Sequence, residues 1–158
     1  MSRFKIKSAD GEVSRRDAQT YGRRLLKLAN YLESIPANQY QHKHWYSTGE
    51  GQLRNGHCGT SACALGWAAA SGLFRSAGLT LREILSGDIK VPTIVEAARY
   101  SDEYFASGAA DHVFGPFAFE SIFSSEAYDN KDDKQVTRRD AVTRIRSFVR
   151  QRYGWALA

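Results

Sequence analysis

From Ser14 to Ile35 the apolar residues return at helical spacing. Ala18, Tyr21, Leu25, Ala29 and Leu32 fall on one face, and Arg16, Arg23 and Lys27 fall on the opposite one. Ser14 is a good N-cap, and Pro36 lies just past the end, where proline stops a helix. The same period returns near the other end of the chain. There Ala141, Val142, Ile145, Phe148 and Val149 make an apolar face, and Arg139, Arg146 and Arg150 make an outward stripe. Thr137-x-x-Asp140 has the form of a capping box with aspartate in the glutamate position. Both segments are predicted to be amphipathic helices.

The middle of the chain is patterned differently. Residues 57–72 read HCGTSACALGWAAASG, and no charge occurs from Gly59 to Phe74. A helix without a polar face is buried on all sides, so residues 60–71 are predicted to be a central helix capped by Gly72. Leu79–Ser86 and Thr93–Phe105 read as two further helices, the second opened by Pro92. Residues 110–124 are aromatic-rich and ambiguous, and Gly115-Pro116 interrupts any continuous helix there. Phe4 to Lys7 alternates and is predicted to be an edge strand ended by Asp10-Gly11. Residues 37–57 read as an irregular connection docked by Tyr40, Trp45 and Tyr46, and residues 124–135 as a polar loop. The prediction is a mainly α, single compact domain over 1–158. It has five or six helices packed around the buried small-residue helix, with at most a minor strand element.

Composition narrows the class. The chain has 158 residues, which suits one domain with an ordinary hydrophobic core. Its longest small-apolar run, about Ala62 to Phe74, is too short to cross a bilayer, so no membrane partner is expected. The first residues, MSRFKIKSADGEV, have no apolar run of the export type. With only two cysteines, set five apart, free thiols in a reducing cytoplasm are the expectation. Net charge is +5, with a pI near 9.3. Residues 1–30 carry eight Lys/Arg against three Asp/Glu, and residues 134–158 carry seven against one, whereas residues 101–133 are net acidic. Both ends are therefore basic, which favours an anionic partner.

Three kinds of chemistry are candidates. Cys58, just before the central helix, could be a nucleophile with His112 or His57 as base and Gly59–Ser61 amides as oxyanion donors. Gln52 lies six residues ahead, similar to the spacing in papain-like proteases, but there the two cysteines are separated by two residues, with an aromatic after the nucleophile. Here Ala64 follows Cys63. His42, His44, His57, Cys58 and Cys63 cluster in sequence, yet not at zinc-ribbon or finger spacings, so neither metal nor cofactor is predicted. The third candidate is a binding surface for a protein or a phosphate-bearing ligand, using Trp45, Arg54, Gly59 and Thr60. Arg139, Arg146 and Arg150 extend this to a nucleic acid held by basic helices. GxxxxGK[ST] and GxGxxG do not occur, so no standard nucleotide loop is expected.

The order LANYLESIPANQYQHKHW, CGTSACALGWA, DHVFGPFAF and TRRDAVTRIRSFV resembles a family of small bacterial and phage proteins with a CGTxACxxGWA core. The resemblance covers roughly residues 24–150. Trp45, Cys58, Gly59, Thr60, Cys63, Gly66 and Trp67 are the matching positions. It implies a phage or mobile-element setting with a role on a host component, and no reaction; the expectation for the chain is a non-catalytic cytoplasmic binding protein.

Overall fold

The computed structural model describes residues 7–8, 11–41, 63–84, 89–94, 107–124, 127–128 and 136–158. The predicted amphipathic helices are both present. Helix α1 runs Arg15–Ser34, with the Ser14 hydroxyl accepting from the Asp17 N–H at 3.0 Å. Its extended C-cap, Ile35, precedes Pro36, as the sequence indicates. Among the described residues four further helices follow: α2 (Ala64–Ser71), α3 (Ser107–Phe114), α4 (Arg138–Arg152) and α5 (Gly154–Leu157). Short 3₁₀ turns occupy Ala37–Gln39 and Arg75–Ala77, and a wider π turn occupies Phe119–Phe123. The fold is mainly helical.

Helices α1 and α4 pair antiparallel, and fixed contacts at both ends hold the register. At one end the Arg138 guanidinium donates to the Ile35 carbonyl. At the other, Gln19 Nε2 donates to Ala156 O at 2.9 Å, and the Tyr21 and Tyr153 rings lie 5.9 Å apart. Between them Leu25, Leu28, Leu32, Ala141 and Ile145 are fully buried. Full burial of one leucine stabilises by about 1.5–3 kcal/mol, so this seam is a large part of the core. The position of α5 depends on Gly22, where a Cβ would come within 2.9 Å of Leu157 Cδ1 and 3.2 Å of Tyr153 Cβ.

Helix α2 packs against the same core from another side. Ala64 through Ala69 are all buried, so the charge-free helix is buried as predicted. Gly72 ends it at φ +76, a left-handed conformation that favours glycine. One boundary differs. The helix begins at Ala64 with Cys63 as N-cap, not at residue 60.

Residues 79–84 and 93–94, expected to belong to two helices over Leu79–Ser86 and Thr93–Phe105, are strand instead. Leu79–Ile84 (β3) and Ile89–Ile94 (β4) pair antiparallel, with Leu79 opposite Ile94 and Leu81 opposite Pro92. The alternation Leu79-Thr80-Leu81-Arg82 and the β-branched content of IKVPTI suit a strand, and a two-stranded ribbon tolerates proline because both strands are edges. Residues 95–106, the rest of the second expected helix, lie outside the described residues. A second ribbon, Lys7–Ser8 (β1) with Gly11–Glu12 (β2), stands where the N-terminal strand was expected; Phe4–Ile6 lie outside the description.

The ambiguous stretch resolves into α3, a sharp corner and the π turn. Gly115 turns the chain at φ +100, and a Cβ there would fall 2.0 Å from Tyr153 Oη. Only glycine fits that approach, and Tyr153 Oη donates to the Phe114 carbonyl at 3.0 Å. Phe117 follows at φ +66, an uncommon conformation for an aromatic residue. Asp111 braces the corner, its Oδ1 accepting from the Phe119 N–H at 2.9 Å.

Candidate binding surface

Helix α4 is positioned by its cap. Thr137 Oγ1 accepts from the Asp140 N–H at 3.1 Å, and the Asp140 carboxylate accepts from the Thr137 N–H at 3.0 Å. This is the reciprocal box anticipated from sequence, and it fixes which face turns inward. Ala141, Val142, Ile145, Phe148 and Val149 are all buried, and Arg139, Arg146 and Arg150 are all exposed.

The arginines of this helix divide into two groups. Arg138 is tied to the Ile35 carbonyl, and Arg144 Nε donates to Ser121 O at 2.7 Å. Arg152 lies over the Phe117 and Phe148 rings at 5.4 and 5.5 Å, a cation–π arrangement. Arg146 is ion-paired with Glu33 on α1, and its Nη2 also donates to Asn30 Oδ1 at 3.2 Å. Arg146 is therefore first a clasp between α1 and α4. Arg139 and Arg150 make no such contact among the described residues, and they are the exposed guanidinium groups left for a partner. Along α1, Arg16, Arg23 and Lys27 are likewise exposed.

Two clefts border these helices. One, of about 410 Å³, lies beside the start of α4 and is lined by Tyr128, Arg139, Asp140, Thr143, Arg144 and Ser147, among others. Tyr128 Oη donates to Ile122 O at 2.8 Å, and burial pushes its hydroxyl well above the ordinary tyrosine range. The other, of about 320 Å³, lies along α1 and carries Arg23, Arg24 and Lys27. Sequence reasoning had placed Arg23 and Lys27 on the outer face of α1 but missed Arg24. No local signal marks it, because its partner, Val113 O at 2.9 Å, lies 89 residues away.

The remaining candidates are distributed as follows. Trp45, Arg54, His57, Cys58, Gly59 and Thr60 lie outside the described residues, as do His42 and His44. His112 is exposed, in the last turn of α3. Helix α2 starts at Ala64, so its first-turn amides belong to Ala64–Gly66; Gly59–Ser61, the expected oxyanion donors, lie outside the described residues. Cys63 is the N-cap itself, its Sγ accepting from the Gly66 N–H at 3.5 Å. Burial pushes its thiol up from 9.0 to about 11, outweighing that hydrogen bond, so it is protonated and unreactive near neutrality. Tyr40 is buried beside it and accepts from the Ala64 N–H, and Trp67 Nε1 donates to Gln39 O at 3.0 Å. The start of the 37–57 connection is therefore docked on α2, as Tyr40 led one to expect.

Among the described residues no group of three or more His, Cys, Asp or Glu side chains is placed to hold a metal, and no helix is long and apolar enough to cross a membrane. No protein family, curated protein or solved structure matches the chain.

Proposed function

We propose that the chain is a non-catalytic binding protein whose exposed α4 arginine stripe holds the phosphate backbone of a nucleic acid. The observation that carries this reading is the division of the α4 arginines. Arg139 and Arg150 have no partner among the described residues, and they stand eleven positions apart on one exposed face. At 1.5 Å per residue they span roughly 16 Å, a length that suits several successive phosphates better than a single small anion. Guanidinium groups recognise phosphate by paired N–H donors. Glu33, the carboxylate at the α1–α4 seam, is already neutralised by Arg146. Contacts of this kind bind the backbone and read no base sequence. The phage or mobile-element setting implied by the CGTSACALGWA resemblance is compatible with such a host component as partner.

The test is fluorescence anisotropy with a labelled 20-nucleotide single strand and a 20-base-pair duplex, at rising sodium chloride. Binding that weakens linearly in log–log form is expected. Arg139→Ala/Arg150→Ala should lower the slope by about 1–2. Failure of both probes to bind at low salt, or an unchanged slope in the double variant, overturns the reading. The alternative, a cysteine hydrolase or transferase, rests on Cys58 outside the described residues. Rapid alkylation of Cys58 near neutral pH, beside an inert Cys63, would be its signature.

A further inference from the structure

From the cleft along α1 we infer a second, separate site, one that takes a small phosphate monoester with an apolar body. Its cationic side is a single stretch of helix: Arg23, Arg24 and Lys27 all line it, and no acidic residue does. Like charges at i and i+4, as at Arg23 and Lys27, weaken a helix when nothing balances them. Neither of those two side chains has an ion pair or hydrogen bond among the described residues. Arg24 is different. Its Nη1 donates to Val113 O, which holds the guanidinium in place and leaves its other N–H groups for an anion. The three cations therefore combine one fixed donor group with two adaptable ones.

The opposite wall is apolar and pre-formed. Leu73, Phe74 and Ala77 contribute to it, and Ser76 lines the cleft beside them. That wall is a tight turn held by its own backbone bonds, from Arg75 N–H to Gly72 O, Ala77 N–H to Phe74 O and Gly78 N–H to Arg75 O. Phe74 anchors it to the core, edge-on to Phe114 at 5.2 Å. A cavity of about 320 Å³ is at the lower end of the range for small-molecule sites. It admits a phosphate group against the cations and a compact apolar group against Leu73 and Ala77, but not a long chain. The site does not depend on the nucleic-acid reading of α4.

Titration of the isotope-labelled chain with phenyl phosphate and with inorganic phosphate, followed by backbone amide shifts, tests the proposal. At about pH 8 both are mainly dianions, and they differ in the apolar body. Shifts should centre on residues 20–27 and 73–77, with phenyl phosphate binding at least several-fold more tightly. Arg23→Ala/Lys27→Ala should weaken both ligands about tenfold or more. Ala77→Glu, on the opposite wall, should do the same without touching a cation. Arg139→Ala/Arg150→Ala should leave both unchanged, so loss of the α4 function and loss of this site are distinguishable. Equal affinity for the two anions, shifts spread along α4, or binding indifferent to the Arg23/Lys27 change would overturn it. Displacement of phenyl phosphate by the 20-nucleotide strand would also overturn it, by making the cleft part of the nucleic-acid face.

Discussion

Helices α2 and α4 contribute to the same core in opposite ways. Helix α2 has no polar side, and its residues from Ala64 to Ala69 are all buried, with the Cys63 thiol at its N-cap sealed and protonated. Helix α4 buries one stripe and keeps two unpaired guanidinium groups in water. Removing every charge from a helix makes it a packing element and silences its chemistry. An amphipathic helix can be a packing element and a recognition surface at once. That a distinctive string such as CGTSACALGWA should owe its pattern from Cys63 onward to burial, while the plainer TRRDAVTRIRSFV carries the accessible groups, follows from this difference.

The contrast is most severely tested by moving charge onto α2. Ala68→Glu buries a carboxylate with no partner and should cost about 4 kcal/mol or more, enough to unfold a marginal domain. Arg150→Glu reverses a charge on exposed α4 and should change stability by less than about 0.5 kcal/mol. Urea midpoints measure both, and similar effects would erase the distinction. The next effect is a pH dependence. The Cys63 thiol loses its proton near 9.0 when unfolded and at about 11 when folded, so between those values the unfolded state binds fewer protons. Stability should therefore fall as pH rises from 9 to 11, by on the order of 2–3 kcal/mol, and show no Cys63 contribution below 9. Urea melts of Cys63→Ala should lose that part of the slope, and an unaltered slope would mean the thiol is not sealed. A smaller loss concerns the α4 cap. Thr137→Ala should cost about 1 kcal/mol by melting temperature, with unchanged affinity for nucleic acid if the stripe keeps its position. A coupled loss of affinity would show that the cap also positions Arg139.

How far the sequence could be read depended on whether the signal was local. The caps at Ser14, Gly72 and Thr137 and the apolar faces of α1 and α4 are legible because each is set by residues within a turn or two of one another. The β3–β4 ribbon was misread because Leu81, Ile84 and Leu85 also sit at helical spacing, which obscured the alternation beginning at Leu79. Length and flanking chemistry favoured the ribbon: two short runs separated by Leu85-Ser86-Gly87-Asp88. For the surface, exposure of Arg139 and Arg150 follows from period alone, whereas the Arg146–Glu33 clasp does not. That clasp joins positions 113 residues apart and depends on which two helices pair. The α1 cleft is hidden for the same reason, since its two walls are far apart in sequence.

The pairing of the first long helix with the last also has a consequence during synthesis. Leu25, Leu28 and Leu32 of α1 find their cover on a helix more than a hundred residues downstream. At 5–20 residues per second, a ribosome needs roughly 5–20 s to make the intervening chain. For that interval the nascent chain presents an uncovered leucine stripe to the cell, and it must either be sheltered by a chaperone or hold its apolar face in transient contacts until the C-terminal helix emerges.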